Sequence, residues 1–189
     1  MSAEVRRRQI MDAAAALVLA QGYLPLSLER LAAQVGVSKG LIYEYFPTQS
    51  DLFAALVGDE LGVLADAGIE AAVSGGDLVA SAQGAADLYL QHIASRGPVA
   101  HFVLRDSYMK GRVMRAEVQV RDRLFRGFAR RARRDLRLPP AEATAAVVLV
   151  LAIPEEMGRL VWQGDMPLER GRELVCQLVA SAISALRPS

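Results

Sequence analysis

Cysteine is nearly absent from this chain. Cys176 is the only one in 189 residues, which excludes an intrachain disulfide and fits a reducing compartment. It sits among Leu174, Val175, Leu178 and Val179 in an apolar helical stretch, so it reads as a small buried hydrophobe. Histidine is almost as scarce. His92 and His101 are the two present; they lack the spacing of a local metal site and have no acidic or thiol partner close by. No metal or other cofactor is therefore expected. The sequence offers no glycine-rich phosphate loop, no Cys/His cluster, no nucleophile elbow between a strand and a helix, and no nucleophile and base pair. On that footing the chain is not expected to be an enzyme. The longest apolar run, Ala145 to Ile153, is too short to span a membrane. Arg6-Arg7-Arg8 ahead of an alanine-rich stretch superficially resembles a secretory signal, but Gln9 and Asp12 break the apolar run. A soluble cytoplasmic protein is the expectation, with no membrane partner.

Excess charge is also lacking, since the net value is +1. Its distribution is uneven: residues 1–50 carry +1, 51–104 carry −6, 105–137 carry +8 and 138–189 carry −2. A local patch can attract a polyanion even when the whole molecule is close to neutral. No alternating β-branched runs occur, and glycine and proline fall mostly where helices would end or begin. With 52% hydrophobic residues the chain can bury a substantial core in one or two domains. The fold class is all-α.

What is present is concentrated near the N-terminus. Val5 to Gln21 reads as a first helix, with Ile10, Ala13, Ala14, Leu17 and Val18 on one face and Gly22 closing it. Ser27 can cap a second helix over Leu28 to Gln34, whose Leu28, Leu31, Ala32 and Val35 give the i, i+3, i+4, i+7 stripe. Gly36 supplies a positive-φ turn, and Ser38 can cap a third helix. That is a helix-turn-helix. In the third helix Ile42 and Phe46 point inward, leaving Lys39, Gly40, Leu41, Tyr43 and Glu44 toward solvent. A face mixing a cation, a glycine and tyrosine hydroxyls suits phosphate oxygens and base edges.

These residues resemble the tetracycline-repressor (TetR) family of bacterial transcription regulators. The likeness runs from the helix before Gly22 through Ser27, Leu31-Ala32, Val35-Gly36-Val37-Ser38-Lys39-Gly40, Ile42-Tyr43 and Tyr45-Phe46 to Asp51-Leu52-Phe53. It covers about the first 55 residues. One departure stands out: where the family usually has a lysine three residues after the phenylalanine, this chain has Gln49, which removes an expected phosphate-neutralising charge. The resemblance implies a helix-turn-helix DNA-binding domain over residues 1–47 and a helical ligand-binding and dimerisation domain over residues 48–189. It also implies a homodimeric repressor, released from a palindromic double-stranded DNA operator by a small-molecule effector. A DNA-binding dimer that takes no effector is the alternative. DNA contacts are expected at Ser27, Ser38, Lys39, Gly40, Leu41, Tyr43, Glu44, Tyr45 and Thr48. Ser27, Ser38, Tyr43 and Thr48 would mainly meet phosphates, and Lys39, Leu41 and Glu44 would meet bases.

Beyond Phe46, Thr48 and Asp51 make a capped start for a long helix through Leu52, Phe53, Leu56 and Leu61, and Ser74-Gly75-Gly76 marks a break. Further helices are expected over Leu78–Ser95, Pro98–Met109, Arg112–Leu136, Ala141–Gln163 and Leu168–Leu186. The segment from 112 to 137 divides cleanly. Arg112, Arg115, Gln119, Arg123, Arg126, Arg130, Arg133 and Arg137 fall within about 80° of one another at 100° per residue. The opposite face is apolar but carries Glu117 and Arg121, either a structural ion pair or polar anchors in a ligand cavity. Other ligand candidates are Tyr89, His92, His101, Phe102, Arg105, Tyr108 and Met109. The last two helices are the dimer candidates, with Val148, Leu151, Leu174, Leu178 and Ile183 at the interface. The first of them is apolar nearly all round from Ala145 to Ile153 and needs cover from two sides.

Overall fold

The computed structural model describes residues 2–74, 76–112 and 119–187. It is all-helical among those residues: α1 (Ala3–Gln21), α2 (Leu28–Val35), α3 (Lys39–Tyr45), α4 (Gln49–Asp66), α5 (Ile69–Ser74), α6 (Leu78–Arg96), α7 (Val99–Arg105), a 3-10 turn at Ser107–Met109, α8 (Gln119–Asp135), α9 (Pro140–Gln163) and α10 (Leu168–Ala185). Two compact units result. The first holds residues 1–61 with 99–118, and the second 62–98 with 119–189.

In the first unit, short helices are set by local chemistry. Ser2, Ser27 and Ser38 each accept a backbone N–H of the following turn through their hydroxyl oxygens, satisfying donors that a helix start leaves unpaired. Gly22 and Gly36 end α1 and α2 in the left-handed region, at φ 75° and 73°, where a side chain would be strained. Thr48 and Asp51 form a reciprocal cap on α4: Asp51 N–H donates to Thr48 Oγ1 at 3.2 Å, and Asp51 Oδ2 accepts from Thr48 N–H at 2.9 Å. Ile10, Leu31, Ile42, Leu52, Phe53 and Val57 are fully buried. So are Val99, Val103 and Met109 of the later segment. That segment is also tied by Asp106, whose Oδ1 accepts Tyr108 N–H at 2.8 Å and whose Oδ2 accepts Leu24 N–H at 2.9 Å. The helix expected over 98–109 is thus split, because Asp106 leaves helical geometry to cap the 3-10 turn.

The second unit is built around α6, α8, α9 and α10. Its core holds Leu78, Ala82, Ala86, Leu90, Ala132, Leu136, Ala143, Val175, Val179 and Ile183. Small residues let helices approach closely: a Cβ added at Gly158 of α9 would lie 2.7 Å from Ile93 Cβ of α6. Across α6 and α10, Arg172 makes a two-pronged ion pair with Asp87 at 2.7 and 2.9 Å, and Gln91 donates to the same carboxylate at 2.9 Å. Helix α5 had no counterpart in the sequence reading. No described helix is long and apolar enough to cross a membrane.

Candidate nucleic-acid interface

The face of α3 follows from its spacing. Ile42 and Phe46 are buried at 1% and 3% exposure, one helical turn apart, and α2, whose Leu31 and Ala32 are buried, packs on α3. Lys39, Gly40, Tyr43 and Glu44 are thereby left exposed, with Leu41 and Tyr45 half-buried. Ser27, Ser38 and Thr48 are exposed at the starts of α2, α3 and α4, so all nine expected DNA-contact residues lie in one stretch of the first unit. A Cβ at Gly40 would meet only Ser38 Oγ, at 3.7 Å. Packing within the chain therefore does not require glycine there. Gly36 to Gly40 spell Gly-x-Ser-x-Gly, but they join two helices and the Ser38 hydroxyl is occupied as a cap.

Two details of this face were hidden in the sequence. Lys39 Nζ is 2.7 Å from Glu29 Oε1; the hydrogen bond holds the Glu29 carboxyl below its usual range and raises the Lys39 ammonium. Glu29 Oε2 also accepts from the Ser27 hydroxyl at 3.3 Å. The second detail concerns Gln49, read from sequence as a position facing phosphate. Its side chain instead turns back on the chain, with Oε1 accepting Leu26 N–H at 2.9 Å and Nε2 donating to Leu26 C=O at 3.0 Å.

Around this face, Arg7 lies 5.1 Å over the Phe46 ring, and Arg8 bridges Asp12 and Asp59 at 2.8 and 2.7 Å. A cleft of about 280 Å³ opens between α1, the end of α3 and the start of α4.

Residues 10–56 match the family model of bacterial regulatory proteins of the tetR family. That stretch is similar to the N-terminal DNA-binding domain of the family. A nucleoid occlusion factor, SlmA, from Haemophilus ducreyi is 40% identical over 57 residues, 30% of this chain and 28% of that protein. The chain therefore covers little more than a quarter of the length of the curated relatives it matches. The whole chain has the fold of solved TetR-like proteins. A TetR-like transcriptional regulator from a Rhodococcus species superposes with a TM-score of 0.74 at 20% identity, covering 97% of this chain and 98% of the other. A transcriptional regulator, FadR, from Bacillus subtilis, solved in complex with stearoyl-CoA, superposes with a TM-score of 0.70 at 17% identity, over 93% and 98%.

Of the ligand candidates, Tyr89 and His92 lie on α6 in the second unit, where the Tyr89 hydroxyl is 3.2 Å from Glu155 Oε1. His101, Phe102 and Arg105 lie on α7 and Tyr108 and Met109 on the 3-10 turn, in the first unit. Met109 is buried at 1% exposure and Tyr108 packs edge-on against Phe53. Glu117 lies outside the described residues, as does the side chain of Arg121. Of the dimer candidates, Val148, Leu151 and Leu178 are exposed and Leu174 is half-buried, whereas Ile183 is taken up in the chain's own core. Of the arginine stripe, Arg115 is outside the described residues and Arg112 stands in a turn. Arg123 is held by Glu70 at 2.8 Å, Arg126, Arg130 and Arg133 are exposed on α8, and Arg137 leaves the helix at φ 55°.

Proposed function

We propose that this chain is a homodimeric, DNA-binding transcriptional repressor that binds a palindromic operator and is released by a small-molecule effector. The carrying observation is the division of α3: two apolar anchors hold it from below while Lys39, Gly40, Tyr43 and Glu44 face outward. A helix presented in this way fits the major groove, where Lys39 reads base edges and Tyr43 fixes register on a phosphate. A two-fold dimer places two such helices on two half-sites. An effector releases the operator only through a difference in its affinity for the two states. A cytoplasmic location fits this work.

Fluorescence anisotropy on the full chain tests the reading, with an operator selected from a random library and a scrambled duplex. Tyr43→Phe should weaken both duplexes alike, and Lys39→Ala should erode the preference between them. If neither substitution alters binding, α3 is not the reading helix. A thermal-shift screen against small metabolites, followed by operator release, tests the effector half. Absence of any hit that releases DNA favours the effector-free dimer.

A further inference from the structure

The cleft beside α3 gathers a cation from outside the helix-turn-helix. Its walls include Arg7 of α1, Tyr45 and Phe46 at the end of α3, Ser50 and Asp51 in the first turn of α4, and Arg112 from the turn after the 3-10 element. Arg7 is stacked on Phe46, and its Nη1 donates to the Met11 thioether at 3.3 Å. A thioether is a weak acceptor, so most of its five donors remain for a ligand. Arg112 is parked 4.4 Å over the Tyr108 ring and donates to the Tyr108 carbonyl. Tyr108 is in turn braced edge-on by Phe53 of α4, with ring centroids 6.0 Å apart. Both guanidiniums are thus held by aromatic stacking, which leaves their edges open. Asp51 is already engaged, its Oδ2 accepting from the Thr48 hydroxyl at 2.8 Å and the Thr48 N–H at 2.9 Å.

A separate observation bears on the same place. The lysine charge usual for the family at position 49 is absent, and Gln49 is spent on Leu26. We propose that the cleft receives a phosphate group between Arg7 and Arg112, so that a residue outside the helix-turn-helix supplies the cation missing at position 49. With Asp51 in the wall, the two arginines leave one net positive charge. That matches the single charge of a backbone phosphodiester better than the two of a phosphate monoester. The DNA-backbone source rests on the regulator reading; the phosphate chemistry of the cleft does not. The site also links the segment carrying α7 to the DNA-facing surface through one side chain.

The experiment uses the full chain in two arms. In the first, duplex affinity is measured across a salt series for wild type, Arg112→Gln, Arg112→Lys, and a control, Arg170→Gln, which removes an exposed arginine paired with Glu173 in the other unit. Arg112→Gln should lower the slope of log K against log salt by roughly 0.9 per subunit on operator and scrambled duplex alike. Arg112→Lys and the control should keep the wild-type slope. In the second arm, melting is followed with inorganic phosphate at constant ionic strength, without DNA. If the DNA slope is unchanged but phosphate raises the melting temperature of wild type and not of Arg112→Gln, free phosphate replaces the DNA backbone as the source. Unchanged behaviour of Arg112→Gln in both arms overturns the site. Failure of wild type to bind any duplex counts against the regulator reading, and the second arm still decides the cleft.

Discussion

Lys39 and Glu29 are joined across the two helices of the helix-turn-helix, Nζ to Oε1 at 2.7 Å. On the proposed reading, the cation that meets base edges is therefore engaged before DNA arrives. Glu29 is lowered and Lys39 raised by their mutual hydrogen bond, so both stay charged at neutral pH. The pair loosens only as pH falls through the depressed range of Glu29. Both side chains are exposed, and such a pair adds little to stability. On the proposed reading its weight falls on binding, where a carboxylate beside the phosphates repels them and also holds the ammonium back.

Glu29→Gln should accordingly leave the melting temperature nearly unchanged and tighten binding to any duplex several-fold. Anisotropy titrations at two salt concentrations check this. Weaker binding by the variant would mean that Glu29 aims Lys39 at its target rather than restraining it.

Gln49 gives a prediction opposite to the one the family pattern suggests. A lysine there looks like a gain of one phosphate contact, yet the side chain it replaces satisfies both backbone groups of Leu26. Leaving a partly buried N–H and C=O without partners costs about 1–3 kcal/mol. Gln49→Lys should thus lower stability in urea denaturation by about that amount, with no steeper salt dependence of DNA binding. A steeper slope with unchanged stability would show that the lysine simply swings outward.

How far the sequence foretold these features depends on how local they are. The helix-turn-helix was legible because Ser27, Ser38, Gly22 and Gly36 act within a turn of their own positions. Ile42 and Phe46 likewise announce their burial by spacing alone. The break between α7 and the 3-10 turn was not legible, since Asp106 is fixed by Leu24, 82 positions away. Periodicity carries no such information. The same holds for Gln49 with Leu26, 23 positions apart, and for Arg123 with Glu70, 53 apart. Helix α5, six residues long, is too short for its pattern to rise above a loop. Ile183 and Leu178 illustrate a finer distinction. Both are expected from sequence at one interface, but Gly171, Val175, Val179 and Ile183 form the buried seam of α10, while Leu178 lies on the adjacent exposed face.

Close packing in the second unit sets a sharp contrast between two helical glycines. At Gly158 an added Cβ would lie 2.7 Å from Ile93 Cβ and 2.9 Å from its Cγ2. No rotamer of Ile93 moves a Cβ, so α6 and α9 must separate. Gly158→Ala should therefore destabilise by about 1–3 kcal/mol. At Gly84 the nearest atom is Ala72 Cβ at 4.0 Å, and Gly84→Ala should stabilise by up to about 1 kcal/mol through helix propensity. Thermal melts of the two variants check the pair. Equal tolerance of both would mean that α6 and α9 are not in close contact at Gly158.

The exposed apolar residues of α9 and α10 carry the last prediction. Val148, Leu149 and Leu178 are 48%, 69% and 48% exposed in the single chain, and large apolar side chains exposed together are what an interaction face offers. In the proposed dimer they would be buried against the same residues of a second copy. Leu178→Glu then places an unpaired charge in the interface, a cost of several kcal/mol, while the protomer itself scarcely notices the change. The variant should sediment as a folded monomer and bind a palindromic operator far more weakly than wild type, with helicity retained. Val179→Glu, one position on but fully buried, should instead unfold the second unit. A Leu178→Glu protein that remains dimeric at micromolar concentration would remove this face from the interface.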